Sequence, residues 1–173
     1  RMGDRRRYDL LLTDLPGEWS KNLVDRADTA TRFEFLRRAD GIVIVVDGPS
    51  LVGPKRHSVV ERTGLLMERL TASVKIDTST PIVILLSKCD EIDMNRPALV
   101  DDLVRYGSNL GLAPRAVMSA AFSRKPTVKN GTGVFDPIEH IINPTPPALQ
   151  SRYRTLPYSE SDREFAMFGS RAS

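Results

Sequence analysis

Apolar residues follow two alternating rhythms along this chain. Short continuous runs give way to longer stretches in which apolar positions recur every three or four residues. The short runs read as strands: Tyr8-Asp9-Leu10-Leu11-Leu12-Thr13, Ile42-Val43-Ile44-Val45-Val46, Ile82-Val83-Ile84-Leu85-Leu86 and Arg115-Ala116-Val117-Met118. The second is β-branched throughout, which predicts a strand buried on both faces. Ala39-Asp40-Gly41 leads into it with turn chemistry. Between the runs, Val59, Val60, Leu66, Leu70 and Val74 predict a helix over 57–76. Leu99, Val100, Leu103, Val104 and Leu110 predict another over 96–110, with Asn95 as N-cap and Pro97 near the first turn. Phe135, Ile138, Ile141 and Ile142 mark a last helix near 135–142. The charged stretch between Gly17 and Asp40 predicts a helix packed on the sheet through Phe33, Phe35 and Leu36. This alternation predicts an α/β fold, a mostly parallel sheet flanked by helices. Asn143-Pro144-Thr145-Pro146-Pro147 then stops helical structure. The expected domain is therefore 1–143, and 144–173 reads as a Pro-rich linker and C-terminal arm.

Three strand ends carry candidate chemistry. Ligands of open α/β sheets bind at the carboxyl ends of the strands. The first run leads into Asp14-Leu15-Pro16-Gly17, the third into Ser87-Lys88-Cys89-Asp90, and the fourth into Ser119-Ala120-Ala121. A Lys-x-Asp turn behind a buried strand suits a guanine base. The Asp carboxylate offers two acceptors to two adjacent donors, N1–H and N2–H₂, in a bidentate, charge-assisted match. Adenine lacks that donor pair. A Lys stem can lie along the base while its charge stays wet. The tripeptide alone is weak evidence; three such turns in order are far more specific.

Across residues 8–143 these turns resemble the G domain of P-loop GTPases, closest to translation-factor-like or bacterial double-GTPase proteins. Asp14-Leu15-Pro16-Gly17 is similar to that family's Asp-x-x-Gly, Ser87-Lys88-Cys89-Asp90 to its Asn/Thr-Lys-x-Asp, and Ser119-Ala120 to its Ser-Ala loop. The resemblance implies a three-layer P-loop fold that binds GTP or GDP with Mg²⁺ and hydrolyses GTP. It implies Asp14 on Mg²⁺ through a water, and the Gly17 N–H near the γ-phosphate. It implies Ser87, Lys88 and Asp90 at the guanine, with a backbone N–H of the Ser119-Ala120 loop on O6. Glu18 stands where many members place a water-orienting Gln or His, which makes it the candidate catalytic residue. The implied output is a nucleotide-dependent switch acting on a regulatory or effector protein.

The departures are as informative. No Gly-x-x-x-x-Gly-Lys-Ser/Thr phosphate loop occurs in the sequence. The nearest match is Gly48-Pro49-Ser50-Leu51-Val52-Gly53-Pro54-Lys55-Arg56. There Pro54 removes a backbone N–H that would cradle phosphate, and Arg56 replaces the hydroxyl for Mg²⁺. A plain surface loop is the expectation for this stretch. A sheet without its P-loop strand is incomplete and leaves unpaired edges. The expectation is therefore a P-loop-bearing segment missing from this sequence, or supplied by another chain. A degenerate site is the alternative. Ser87 is shorter than the usual Asn or Thr, and Glu18 adds negative charge near a phosphate. Those features support a second reading, a nucleotide-dead pseudo-GTPase acting as an interaction scaffold. An ATP-using P-loop enzyme is the third, opposed by Asp90.

Composition narrows the rest. The 173 residues are 40% apolar and 27% charged, enough for one domain with a real core. With 25 basic against 22 acidic residues, the net charge of +3 is too even to imply nucleic acid. Arg5-Arg6-Arg7 reads as a solvated strand end. One cysteine, Cys89, excludes an intrachain disulfide and fits a reducing, cytoplasmic setting. No apolar run is long enough to span a bilayer. His57 and His140 are far apart in sequence, so no zinc set stands out. Asp47 ends the second strand and reads as structural, and Trp19 as packed.

Overall fold

A computed structural model describes residues 9–15 and 17–143. The Arg5–Arg7 cluster, Tyr8, Pro16 and the 144–173 linker and arm lie outside the described residues, as does the Trp19 side chain. In chain order the elements are α1 (Gly17–Asp25), a 3-10 segment (Ala27–Arg38), β1 (Ile42–Asp47), α2 (Gly48–Val52) and α3 (Arg56–Arg69). A π turn (Leu70–Val74) extends α3, and β2 (Ile82–Ser87), α4 (Leu99–Asn109), β3 (Arg115–Met118) and α5 (Asp136–Ile142) follow. The strands form one parallel sheet in the order β1-β2-β3. Each crossover runs through helices, as parallel pairing requires. The fold is the α/β class that the alternation predicts. Among the described residues, no helix is long and apolar enough to cross a membrane.

The main core lies on one face of the sheet. Ile44 and Val46 of β1 and Ile82, Ile84 and Leu86 of β2 pack with Met67 and Leu70, with Val100 and Leu103 of α4, and with Leu23 and Phe33. Each such fully buried side chain is worth roughly 1.5–3 kcal/mol relative to exposure. On the opposite face Val83 and Val117 are buried outside that cluster. There α5 approaches the sheet so closely that a Cβ at Gly41 would lie 2.5 Å from Ile141 Cγ1.

Five local expectations need correction. The strand expected from residue 8 is not formed: residues 9–15 have no regular structure, and Leu10, Leu11 and Leu12 are 54%, 92% and 72% exposed. No strand pairs with this segment, and β1 pairs with β2 alone among the described residues. β1 is not buried on both faces either, because the face opposite the main core is left uncovered at Val45, which is 64% exposed. The helix over 57–76 changes pitch at Leu70. Thr71 Oγ1 donates to Met67 O at 3.2 Å and to Glu68 O at 2.9 Å, a back-bond that competes with the regular ladder. Residues 48–56 are not a plain loop, because Asp47 caps a short helix there. Asn95 does not cap α4; its N–H is used on Ile92 O in the preceding turn, and α4 begins after Ala98 without a side-chain cap.

Candidate functional site

The carboxyl ends of β2 and β3 are joined by their own backbone. Ser119 N donates to Leu86 O at 2.7 Å and Ser119 Oγ donates to the same carbonyl at 2.9 Å. Cys89 N donates back to Ser119 O at 2.9 Å. These reciprocal bonds bring Ser87, Lys88, Asp90, Ser119 and Ala120 into one cluster. Ser87 Oγ reaches further, to Val46 O of β1 at 3.4 Å. Cys89 is a packing residue: it is buried, its thiol donates to Leu86 O at 3.3 Å, and burial pushes its pKa up.

Asp90 sits in the first turn of a short 3-10 segment, Cys89–Ile92. It is only 5% exposed. Its carboxylate has no hydrogen bond or ion pair among the described residues. The carboxylate oxygens are not among the buried atoms left without a partner, so they reach solvent, where a ligand with two adjacent donors can meet them. Lys88 is exposed and takes a left-handed backbone, φ 54° and ψ 35°. Its Nζ meets Asp47 Oδ1 at 3.0 Å.

The Ser-Ala turn is enclosed and held from the far side. Ala120 N donates to Thr132 O at 2.9 Å, and Gly131 N donates to Ala120 O at 3.0 Å. That backbone N–H of Ala120 is already used. The next one, on the exposed Ala121, has no acceptor among the described residues. Gly133, at φ +69°, lets the returning chain pass under β3; a Cβ there would collide with Met118 O.

The other expected residues are not built into this cluster. Asp14 is exposed on the irregular segment, while Gly17 and Glu18 are exposed at the start of α1. No hydrogen bond or ion pair joins Asp14 or Glu18 to the β2 and β3 loops among the described residues. A Cβ at Gly17 would meet nothing within 4 Å, so this fold by itself does not demand a glycine there. No group of three or more His, Cys, Asp or Glu that could hold a metal occurs among the described residues.

Sequence reasoning read Asp47 as structural only and gave Ala121 no role. Asp47 had a signal, since it too ends a strand at its carboxyl end, as Ser87 and Met118 do. Ala121 had only its place one residue beyond the Ser-Ala pair. The family model described as Double-GTPase 2 matches residues 1–142. No curated protein and no solved structure matches the chain.

Proposed function

The chain belongs to the Double-GTPase 2 family, and from that premise we propose that it is a guanine-nucleotide switch domain: it binds GTP, hydrolyses it, and controls a partner protein through the two nucleotide states. The observation that carries this is Asp90, a well-packed residue whose carboxylate reaches solvent with no protein donor on it, beside Lys88 and the Ser119 turn. Guanine N1–H and N2–H₂ supply the two donors that this carboxylate lacks. Lys88 lines the base, and Ala121 N–H is the donor available for O6. Ser119 locks the two loops together.

The phosphate half fits a ligand less completely. Gly17 leaves room for a close approach to its N–H, which a side chain would fill. Asp14 is an exposed carboxylate, and Mg²⁺ takes one or two carboxylates together with waters and phosphate oxygens. Asp14 would thus hold Mg²⁺ through a water, and the ion would neutralise charge on the phosphates. Glu18 would orient the attacking water. A P-loop-bearing segment, from the same or another chain, would complete the site along the open edge of β1. The working compartment on this reading is the cytoplasm.

Calorimetric titration with GTP, GDP and ATP in the presence of Mg²⁺ tests the reading. It is run on this chain alone and on the whole encoded protein. The expected result is guanine-selective binding by the whole protein that is lost in Asp90→Ala. No guanine binding by either would leave the interaction scaffold as the function.

A further inference from the structure

Asp47 takes no part in reading the base, yet it grips that site from the neighbouring strand. The parallel register sets Asp47 beside Ser87. Its two oxygens have separate tasks. Oδ2 accepts from Ser50 N at 3.2 Å and from Ser50 Oγ at 2.6 Å, which caps α2. Oδ1 meets the Lys88 ammonium at 3.0 Å. Gly48, the next residue, is pressed against the same loop: a Cβ there would lie 2.8 Å from Ser87 O and 3.4 Å from Cys89 Sγ. The β1–α2 junction therefore abuts the Lys88 turn by backbone contact and by charge. Lys88 needs such a hold. Its backbone is in the left-handed region that most side chains avoid, and its side chain is 62% exposed.

We propose that Asp47 is a positioning residue for guanine-nucleotide binding, fixing the Lys88 stem against the base site by holding its ammonium from the end of β1. The inference rests on the guanine reading above. The electrostatics agree with the geometry. The Ser50 hydroxyl, and after it the Lys88 ammonium, hold the Asp47 carboxyl below its ordinary range against the opposing effect of burial. The Lys88 ammonium is raised, chiefly by the Asp47 carboxylate beside it.

A Lys stem against a base is blind to the exocyclic amine, whereas Asp90 reads it. This gives Asp47 a signature that a merely structural residue lacks. The experiment measures GDP and inosine diphosphate affinity for the whole encoded protein and its Asp47→Asn, Lys88→Met and doubly substituted forms. Asn keeps an oxygen for Ser50, so α2 stays capped, and thermal melts monitor folding. Asp47→Ser, which also keeps a cap acceptor, replaces Asp47→Asn if that variant unfolds. Asp47→Asn is expected to weaken both nucleotides by the same factor, about two- to fivefold for a partly exposed ion pair. On the Lys88→Met background it should weaken them no further. Wild-type affinity in Asp47→Asn, or fully additive losses in the double variant, would overturn this inference and leave guanine binding standing. No GDP binding by the unsubstituted protein would overturn the guanine reading and this inference together.

Discussion

Ser119 and Asp14 each follow a short apolar run, yet their surroundings differ. Ser119 is buried and bonded twice to Leu86 O across the sheet. Asp14 is exposed on a segment whose three leucines are exposed as well. The contrast follows from the neighbours. β3 has β2 to pair with, and β2 is covered on both faces. Residues 9–15 pair with no strand, and the outer edge of β1 stays unpaired among the described residues. A ligand half-site at a strand end is thus only as well built as the ladder beneath it. On the proposed reading, the base-reading half stands on its own ladder, and the phosphate-facing half has none among the described residues.

The severest way to break the built half is Gly133→Ala. The new Cβ would press on Met118 O, and φ +69° is strained for any side chain. A loss of at least about 3 kcal/mol is expected, since both clash and backbone strain act on one residue. Denaturant unfolding measures it. A small loss would mean that the 119–134 return is not what holds the Ser119 turn under β3.

Next in size is Asp90→Ala, whose effect falls on binding and not on folding. Two charge-assisted bonds to guanine vanish, for a loss of about a hundredfold in GDP affinity. The melting temperature should not fall, because a carboxylate with no protein donor contributes nothing to lose. Asp90→Asn sharpens the point. An amide offers one acceptor and one donor, which suits xanthine, with its 2-keto oxygen, better than guanine. Titration with xanthosine and guanosine diphosphates should show the preference reversed. An unchanged preference would remove Asp90 from base reading.

Ser119→Ala is milder. The backbone bond from Ser119 N to Leu86 O survives, and only the hydroxyl bond to that carbonyl is lost. About 1 kcal/mol of stability is expected to go, read from the same unfolding curves. A loss near zero would show that the two loops are joined by backbone alone.

What could be read from the sequence follows the same division. The turn behind β2 was legible as a candidate because Ser87 to Asp90 are contiguous and follow a run apolar at every position. The parallel α/β architecture was legible from alternation. Asp47's hold on Lys88 was hidden, because it arises from strand register between residues distant in sequence. The engagement of Ala120 N–H was hidden too, since Thr132 returns from a loop with no periodic signal. β1 misled for a reason internal to pattern reading: five β-branched or apolar residues in a row state that a strand can be buried twice, not that a second cover exists. Leu10 to Leu12 misled likewise. Their pattern names a strand, while pairing depends on a neighbour that the pattern cannot supply. At Leu70 a single Thr71 hydroxyl altered the helix pitch.

The smallest expected effect tests the phosphate-facing half directly. Leu11 is 92% exposed and packs against nothing that contributes to the core. Leu11→Ser in this chain should therefore change unfolding free energy by less than about 0.5 kcal/mol. If a P-loop-bearing segment completes the sheet as proposed, the same substitution lies on a strand with a partner, and the apolar area it would bury is lost. A core-like penalty of about 1–3 kcal/mol is then expected. The pair of measurements separates two accounts of the exposed leucines. A penalty in the completed protein alone means that residues 9–15 are a strand lacking its neighbour. Equal, negligible effects in both would mean that the apolar run never enters the sheet. Asp14 and Gly17 would then lose their place beside the nucleotide, even with Asp90 still reading guanine.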